Sequence, residues 1–173
     1  DAALARGAAP YPLVVDRLPP PAGEGDESYA LELGPEEGQL RASGPGGVRQ
    51  GLARALQWLL APAPVHAVSI ADAPALPWRG LMLDPARHPL GEGALERTFD
   101  GMAILGLNVL HLHLTDDQGV AFESRRRPRL HQLCGREGYL TVAALQRLAA
   151  AAAERGIRVV PELDLPGHAG ALL

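Results

Sequence analysis

Apolar and polar positions follow two different rhythms along this chain, and the change falls near residue 77. Before it, YALEL (29–33) and QLRAS (39–43) read as short strands around the turn GPEEG, which predicts a hairpin. In VRQGLARALQWLL, residues Val48, Leu52, Ala55, Leu56, Leu59 and Leu60 recur at helical spacing and predict one apolar helix face. Pro62 and Pro64 stop that helix, and VHAVSI (65–70) predicts another strand. Residues 29–76 thus predict a small α+β domain. Residues 1–28, rich in Ala, Pro and Gly, predict a leader or linker with one edge strand at LVV (13–15).

Beyond the Pro-rich crossing ADAPALPWRG (71–80), strands and helices alternate. LMLD (81–84) reads as a buried strand ending in an acid, and residues 92–105 as an amphipathic helix closed by Gly106. VLHLHL (109–114) is the second strand. TVAALQRLAAAAAERG (141–156) is a helix with Thr141 as N-cap and Gly156 just past its end, and IRVVPELD (157–164) is the third strand. A repeat of about 30 residues per strand and helix implies a parallel sheet covered by helices. Each strand ends in polar residues: Asp84 to His88, Thr115 to Gln118 and Glu162 to His168. In a parallel sheet or barrel those ends share one rim, where ligand chemistry sits.

Composition narrows the function classes. An apolar content of 47% over 173 residues supports a globular chain, and a net charge of −4 argues against a phosphate-tracking nucleic-acid binder. All sixteen basic residues are arginine. The single Cys134 excludes an intrachain disulfide and any multi-cysteine zinc site. No apolar run approaches the ~20 residues that span a bilayer, and no signal-peptide pattern is visible.

The rim residues offer two chemistries. Strand alternation puts Val109, His111 and His113 on one face and Leu110, Leu112 and Leu114 on the other, toward the helices. An H-x-H pair on one face can chelate a divalent metal, with Asp116, Glu162 or His168 completing the shell, so a metal-dependent barrel hydrolase is one reading. Hydrogen-bonded core histidines are the other. Adjacent Asp116 and Asp117 diverge, one toward the rim centre and one capping a turn with Gln118 and Gly119. Arg87 can fork onto a carboxylate or vicinal hydroxyls, and His168 beside an aspartate can relay a proton near neutral pH. ESRRRPRL (123–130) reads as a solvated basic loop, and Trp58 and Trp78 as core anchors.

PWRGLMLDPARH (77–88), NVLHLHLTDDQG (108–119), GYLT (138–141) and VVPELDLPGH (159–168), in this order, closely resemble the glycoside hydrolase family 20 β-N-acetylhexosaminidases. The resemblance implies an α/β fold: the first three βα units of a (β/α)8 barrel over residues 77–173, preceded by the family's small α+β domain. It implies removal of terminal non-reducing N-acetyl-D-hexosamine from glycans or chitooligosaccharides by a retaining, substrate-assisted mechanism. By position, Arg87 matches the arginine that holds the sugar's ring hydroxyls, and Asp116 with His168 the pair that tunes the general acid. No metal or cofactor is implied, nor a nucleic-acid or membrane partner, and the histidines at 111 and 113 become strand filling. A periplasmic or secreted parent is implied, while hexosamine preference, linkage and oligomeric state stay open.

The chain also departs from the family pattern. The family's general acid belongs to an Asp-Glu pair after the fourth strand, whereas Asp26 and Glu27 fall in the Pro/Gly-rich leader. Val120 and Pro89 stand where aromatics are common. The stretch from Trp78 onward is under about 100 residues, against about 250 for a whole barrel. The expectation is therefore an N-terminal fragment that is inactive and aggregation-prone alone, with a residual carbohydrate- or partner-binding module as the alternative.

Overall fold

A computed structural model of the chain describes residues 11–17, 27–62, 67–135 and 138–173. It divides into two compact units, Asp1–Ala75 and Leu76–Leu173.

The first unit is a four-stranded sheet with one helix. Its strands are β1 (Leu13–Arg17), β2 (Tyr29–Leu33), β3 (Gly38–Ala42) and β4 (Val68–Asp72), and its helix is α1 (Pro45–Leu59). The sheet order is β1-β3-β2-β4, with β1 parallel to β3 and the other pairs antiparallel. The alternation of YALEL sends Tyr29, Leu31 and Leu33 to the buried face, where Leu31 pairs across to Leu40 and Ile70. The edge strand expected at 13–15 is β1, which extends to Arg17 and pairs in parallel with β3. The strand expected at 65–70 is β4, displaced toward Asp72; Val65 and His66 lie outside the described residues, as do Pro64, residues 1–10 and 18–26.

The face that α1 buries differs from the leucine stripe predicted. Gly46, Gly47, Gly51 and Ala55 face the sheet, and Leu52, Leu56, Leu59 and Leu60 are about half exposed. The helix lies so close that a Cβ at Gly51 would meet the Leu40 side chain and one at Gly47 the Ser28 carbonyl. Close approach selects small residues here, and period alone does not reveal it.

The second unit is a three-stranded parallel sheet in the order β5-β6-β9: β5 (Gly80–Leu83), β6 (Val109–His113) and β9 (Arg158–Glu162). Helix α2 (Glu92–Ile104) links the first two strands. A two-residue-strand hairpin, β7 (Thr115–Asp116) and β8 (Gly119–Val120), then α3 (Arg129–Cys134) and α4 (Val142–Glu154), lie between the second and third. Leu110, Leu112 and Leu114 pack with Leu95, Phe99 and Met102 of α2 and Leu148 and Ala152 of α4, as the alternation predicts. Gly106 and Gly156 end α2 and α4 at φ 73, and the amide of the next residue reaches back to Met102 O and Ala152 O at 2.8 Å each. Thr141 Oγ1 caps α4 by accepting from Ala144 N at 3.1 Å.

Trp78 is not a core anchor: it is 57% exposed. The entry to β5 is held by polar groups instead. Arg79 N–H donates to Asn108 Oδ1 at 2.9 Å, its Nε to Gly106 O at 2.7 Å, and Asn108 Nδ2 to Pro77 O at 2.9 Å. Trp58 is partly buried as expected, near Tyr11, and its indole N–H has no hydrogen-bond partner among the described residues. The basic run is exposed through Arg129, where the short helix α3 begins.

Leu110 is fully buried between the two helices, so Leu110→Ala should cost about 2–5 kcal/mol. Leu105→Ala, at a position 72% exposed, should cost less than about 0.5 kcal/mol. Urea denaturation followed by circular dichroism would compare the two, and equal losses would contradict the packing described.

Candidate active site

The carboxyl ends of the three parallel strands bring the polar clusters together. After β5, Asp84 Oδ1 accepts the Arg87 backbone N–H at 3.0 Å, closing a turn that aims the guanidinium. Arg87 then forms ion pairs with both Asp84 and Asp116. After β6, the β7–β8 hairpin turns Asp116 inward and Asp117 outward; Asp116 is wholly buried while Asp117 is exposed. After β9, Asp164 N–H donates to Thr115 Oγ1 at 2.8 Å and Gly170 N–H to Asp117 Oδ1 at 2.8 Å. Those two bonds strap the 164–170 loop onto the hairpin and bring His168 Nδ1 to 3.3 Å from Asp116 Oδ2. His168 sits at φ 52, a left-handed conformation uncommon outside glycine, and the strapped loop holds it there.

The sheet register adds two groups. His113 lies opposite Glu162 and three residues before Asp116. Its Nε2 is 2.9 Å from Asp116 Oδ2 and its Nδ1 is 3.0 Å from Glu162 Oε1. An ionised carboxylate only accepts, so a ring facing one on each side carries both protons and is imidazolium. Burial opposes that charge, but hydrogen bonds to Asp116 and Glu162 outweigh it and hold His113 above the ordinary histidine range. Burial likewise disfavours the Asp116 carboxylate. Bonds from His113 and from the Asp117 N–H (2.6 Å), with the charges of Arg87 and His168, overcome it and hold Asp116 below its usual range. Glu162 is lowered first by its bond from His113 and further by the charge of His111, 2.5 Å away, against its own burial.

Residues 76–173 match the family model described as glycosyl hydrolase family 20, catalytic domain. The chain belongs to glycosyl hydrolase family 20. It is 40% identical over 161 residues to a beta-hexosaminidase of Akkermansia muciniphila, covering 84% of this chain and 33% of that one. It is 36% identical over 158 residues to a beta-N-acetylhexosaminidase of Cellulomonas fimi, covering 85% and 32%. Among solved structures, a beta-N-acetylhexosaminidase superposes with a TM-score of 0.84 at 38% identity over 94% of this chain and 37% of that one. A chitobiase of Flavobacterium johnsoniae superposes at 0.82 with 36% identity, over 93% and 25%. The chain thus spans about a third of the length of the curated relatives it matches.

Within this family member, Arg87, Asp116 and His168 meet at one point, and His113 and Glu162 join them. The sequence names the latter two only as candidate metal ligands and gives them no part in the sugar site, although the i,i+3 spacing of His113 and Asp116 and the equal height of His113 and Glu162 on adjacent strands were readable signals. The metal alternative required His111 and His113 to bind one metal ion together. Glu162 stands between them and accepts from each. Among the described residues, the converging groups of three metal-ligand types are His113–Glu162–Asp164 and Asp116–Asp117–His168, and His111 is in neither.

The sign of the pH dependence follows from these shifts. A histidine raised in the folded state stabilises fully below its unfolded pKa, about 6.5, and that contribution is lost as pH rises through the raised value. The lowered carboxyls contribute above about pH 4 and lose that contribution as pH falls through their lowered values. The cluster should therefore stabilise most between about pH 4.5 and 6.5. His113→Gln should flatten the decline in melting temperature on raising the pH above that window; parallel profiles for variant and wild type would refute a charged His113.

Proposed function

We propose that this chain supplies part of the sugar-binding wall of a β-N-acetylhexosaminidase that removes terminal non-reducing N-acetyl-D-hexosamine from glycans or chitooligosaccharides. The observation that carries this is the buried Asp116 carboxylate, shared by Arg87, His113 and His168 at the strand ends. Family membership and the names of the relatives support it. In this reading the three βα units open a (β/α)8 barrel, and residues 29–76 form the small domain before it.

The proposed reaction retains configuration at the anomeric carbon. The carbonyl oxygen of the substrate's 2-acetamido group attacks C1 as the bond to the leaving oxygen breaks, and water opens the resulting oxazolinium ion, so no enzyme carboxylate becomes glycosylated. Arg87 uses the N–H groups not engaged by Asp84 and Asp116 to hold ring hydroxyls. His168 Nδ1 lies 3.3 Å from Asp116 Oδ2, and Nε2, without a hydrogen bond among the described residues, is free to meet the general acid. Asp116 is thus a supporting group. Neither it nor Glu162 is itself the proton donor, since the cations around them keep both ionised. We accordingly propose that the 173 residues are inactive alone.

The purified chain should release no p-nitrophenol from p-nitrophenyl N-acetyl-β-D-glucosaminide above the buffer rate, and robust turnover would sink that part of the proposal. In a polypeptide joining this chain to the remainder of the barrel, Asp116→Asn should lower kcat about 100-fold with a small change in KM. Arg87→Gln should instead act largely on KM. Wild-type kcat in the Asp116 variant would remove it from the mechanism.

A further inference from the structure

The arginine run of the 123–130 segment is unused by the site described above. Arg125, Arg126, Arg127 and Arg129 are all exposed, and none makes an ion pair among the described residues. Arg41 pairs with Glu32, Arg87 with Asp84, Arg147 with Glu92 and Arg155 with Asp100, whereas Arg49, Arg97 and Arg158 lack an ion pair among the described residues but stand apart from one another in sequence. The chain has 20 acidic and 16 basic residues, so four neighbouring cations without an ion pair among the described residues are not forced by a shortage of carboxylates.

The backbone of the run is fixed. Ser124 N–H donates to Nδ1 of the buried His131 at 3.1 Å, Arg127 N–H to Ser124 Oγ at 3.2 Å, and Leu130 N–H to Arg127 O at 3.0 Å. His131 packs against Tyr139 with ring centroids 4.5 Å apart and the planes tilted by 59°. Helix α3, which the run enters, packs beside β8 and the turn at Gly170–Leu172, and Gly170 holds Asp117. The guanidinium groups therefore project from a fixed support that adjoins the hairpin bearing Asp116. Guanidinium forks match the planar oxygens of carboxylates and the oxygens of sulfate esters.

We propose that Arg125, Arg126, Arg127 and Arg129 form a docking surface for sulfate or carboxylate groups of an anionic glycan, reading part of the substrate away from the sugar at Asp116. The choice of a glycan rests on the proposed hexosaminidase reading. A long polyphosphate fits less well, because the run is short, the chain is net negative and the neighbouring rim carries Asp116, Asp117 and Glu162.

Binding to the 173-residue chain can be measured by calorimetry without any turnover. The probes are a chondroitin sulfate hexasaccharide, the same oligosaccharide desulfated, neutral chitohexaose, and a single-stranded DNA of equal charge. The sulfated probe should bind, and more weakly as NaCl rises from about 0.05 to about 0.3 M. R125S/R126S/R127S should weaken it about tenfold or more. R49S/R97S/R158S removes the same charge from other exposed positions and should change it less than about threefold. Equal affinity for the desulfated probe would assign the contact to carboxylates, and weaker affinity to sulfate; either supports an anion site. Absence of binding, equal losses in the two triple variants, or DNA binding as tight as the sulfated glycan would overturn the proposal. Failure of the hexosaminidase reading would show separately, as absent turnover in the joined polypeptide with this charge-dependent binding intact.

Discussion

The carboxylate of Asp116 is wholly buried, and the architecture of the rim answers that one constraint. A buried charge is tolerated only where opposite charges and hydrogen-bond donors replace water. Asp117 N–H serves Oδ1, while His113, Arg87 and His168 converge on Oδ2. Each donor creates a demand of its own. His113, charged and buried, needs Glu162 on its far side; Arg87 needs Asp84 to fix its turn and its guanidinium; His168 needs the straps at Thr115 and Asp117. Removing Asp116 would leave the remaining groups as an uncompensated cluster of cations and partly occupied acids.

The parallel register converts strand chemistry into that cluster. Leu110 lies level with Leu81 and Val159, and three residues later His113 lies level with Glu162. The same alternation that turns the leucines onto α2 and α4 turns His111 and His113 to the opposite face. The helix-ending glycines Gly106 and Gly156 return the chain to the next strand at the same height, so the three polar ends arrive together. Packing on one face and chemistry on the other are consequences of one pattern.

The parallel strands, their helices and the leucine face were legible in the sequence because period and caps are local signals. Arg87, Asp116 and His168 could be placed at one rim for the same reason, helped by the family resemblance. The glycine face of α1 was not legible, since leucines outweigh glycines in any apolar stripe and only the sheet's closeness reverses that order. Trp78 misled because size suggests burial, whereas the Arg79–Asn108 hydrogen bonds anchor that entry. The His113–Glu162 contact escaped because it spans strands far apart in sequence, and register fixes it.

Charges at the rim divide into fixed and adjustable ones. Arg87 and His113 are cations held by carboxylates, and Asp116 and Glu162 are anions held by those cations, so each stabilises the ionised form of the other. His168 differs: it is half exposed, meets Asp116 through one ring nitrogen at 3.3 Å and leaves the other unbonded among the described residues. Such a ring keeps one nitrogen open to a further partner while the other stays beside the carboxylate. In the proposed hexosaminidase, the locked ions therefore serve mainly to hold Asp116 ionised beside His168. Asp116 then gives His168 a fixed carboxylate beside Nδ1. This arrangement accounts for a wholly buried carboxylate on which one guanidinium and two imidazole rings converge.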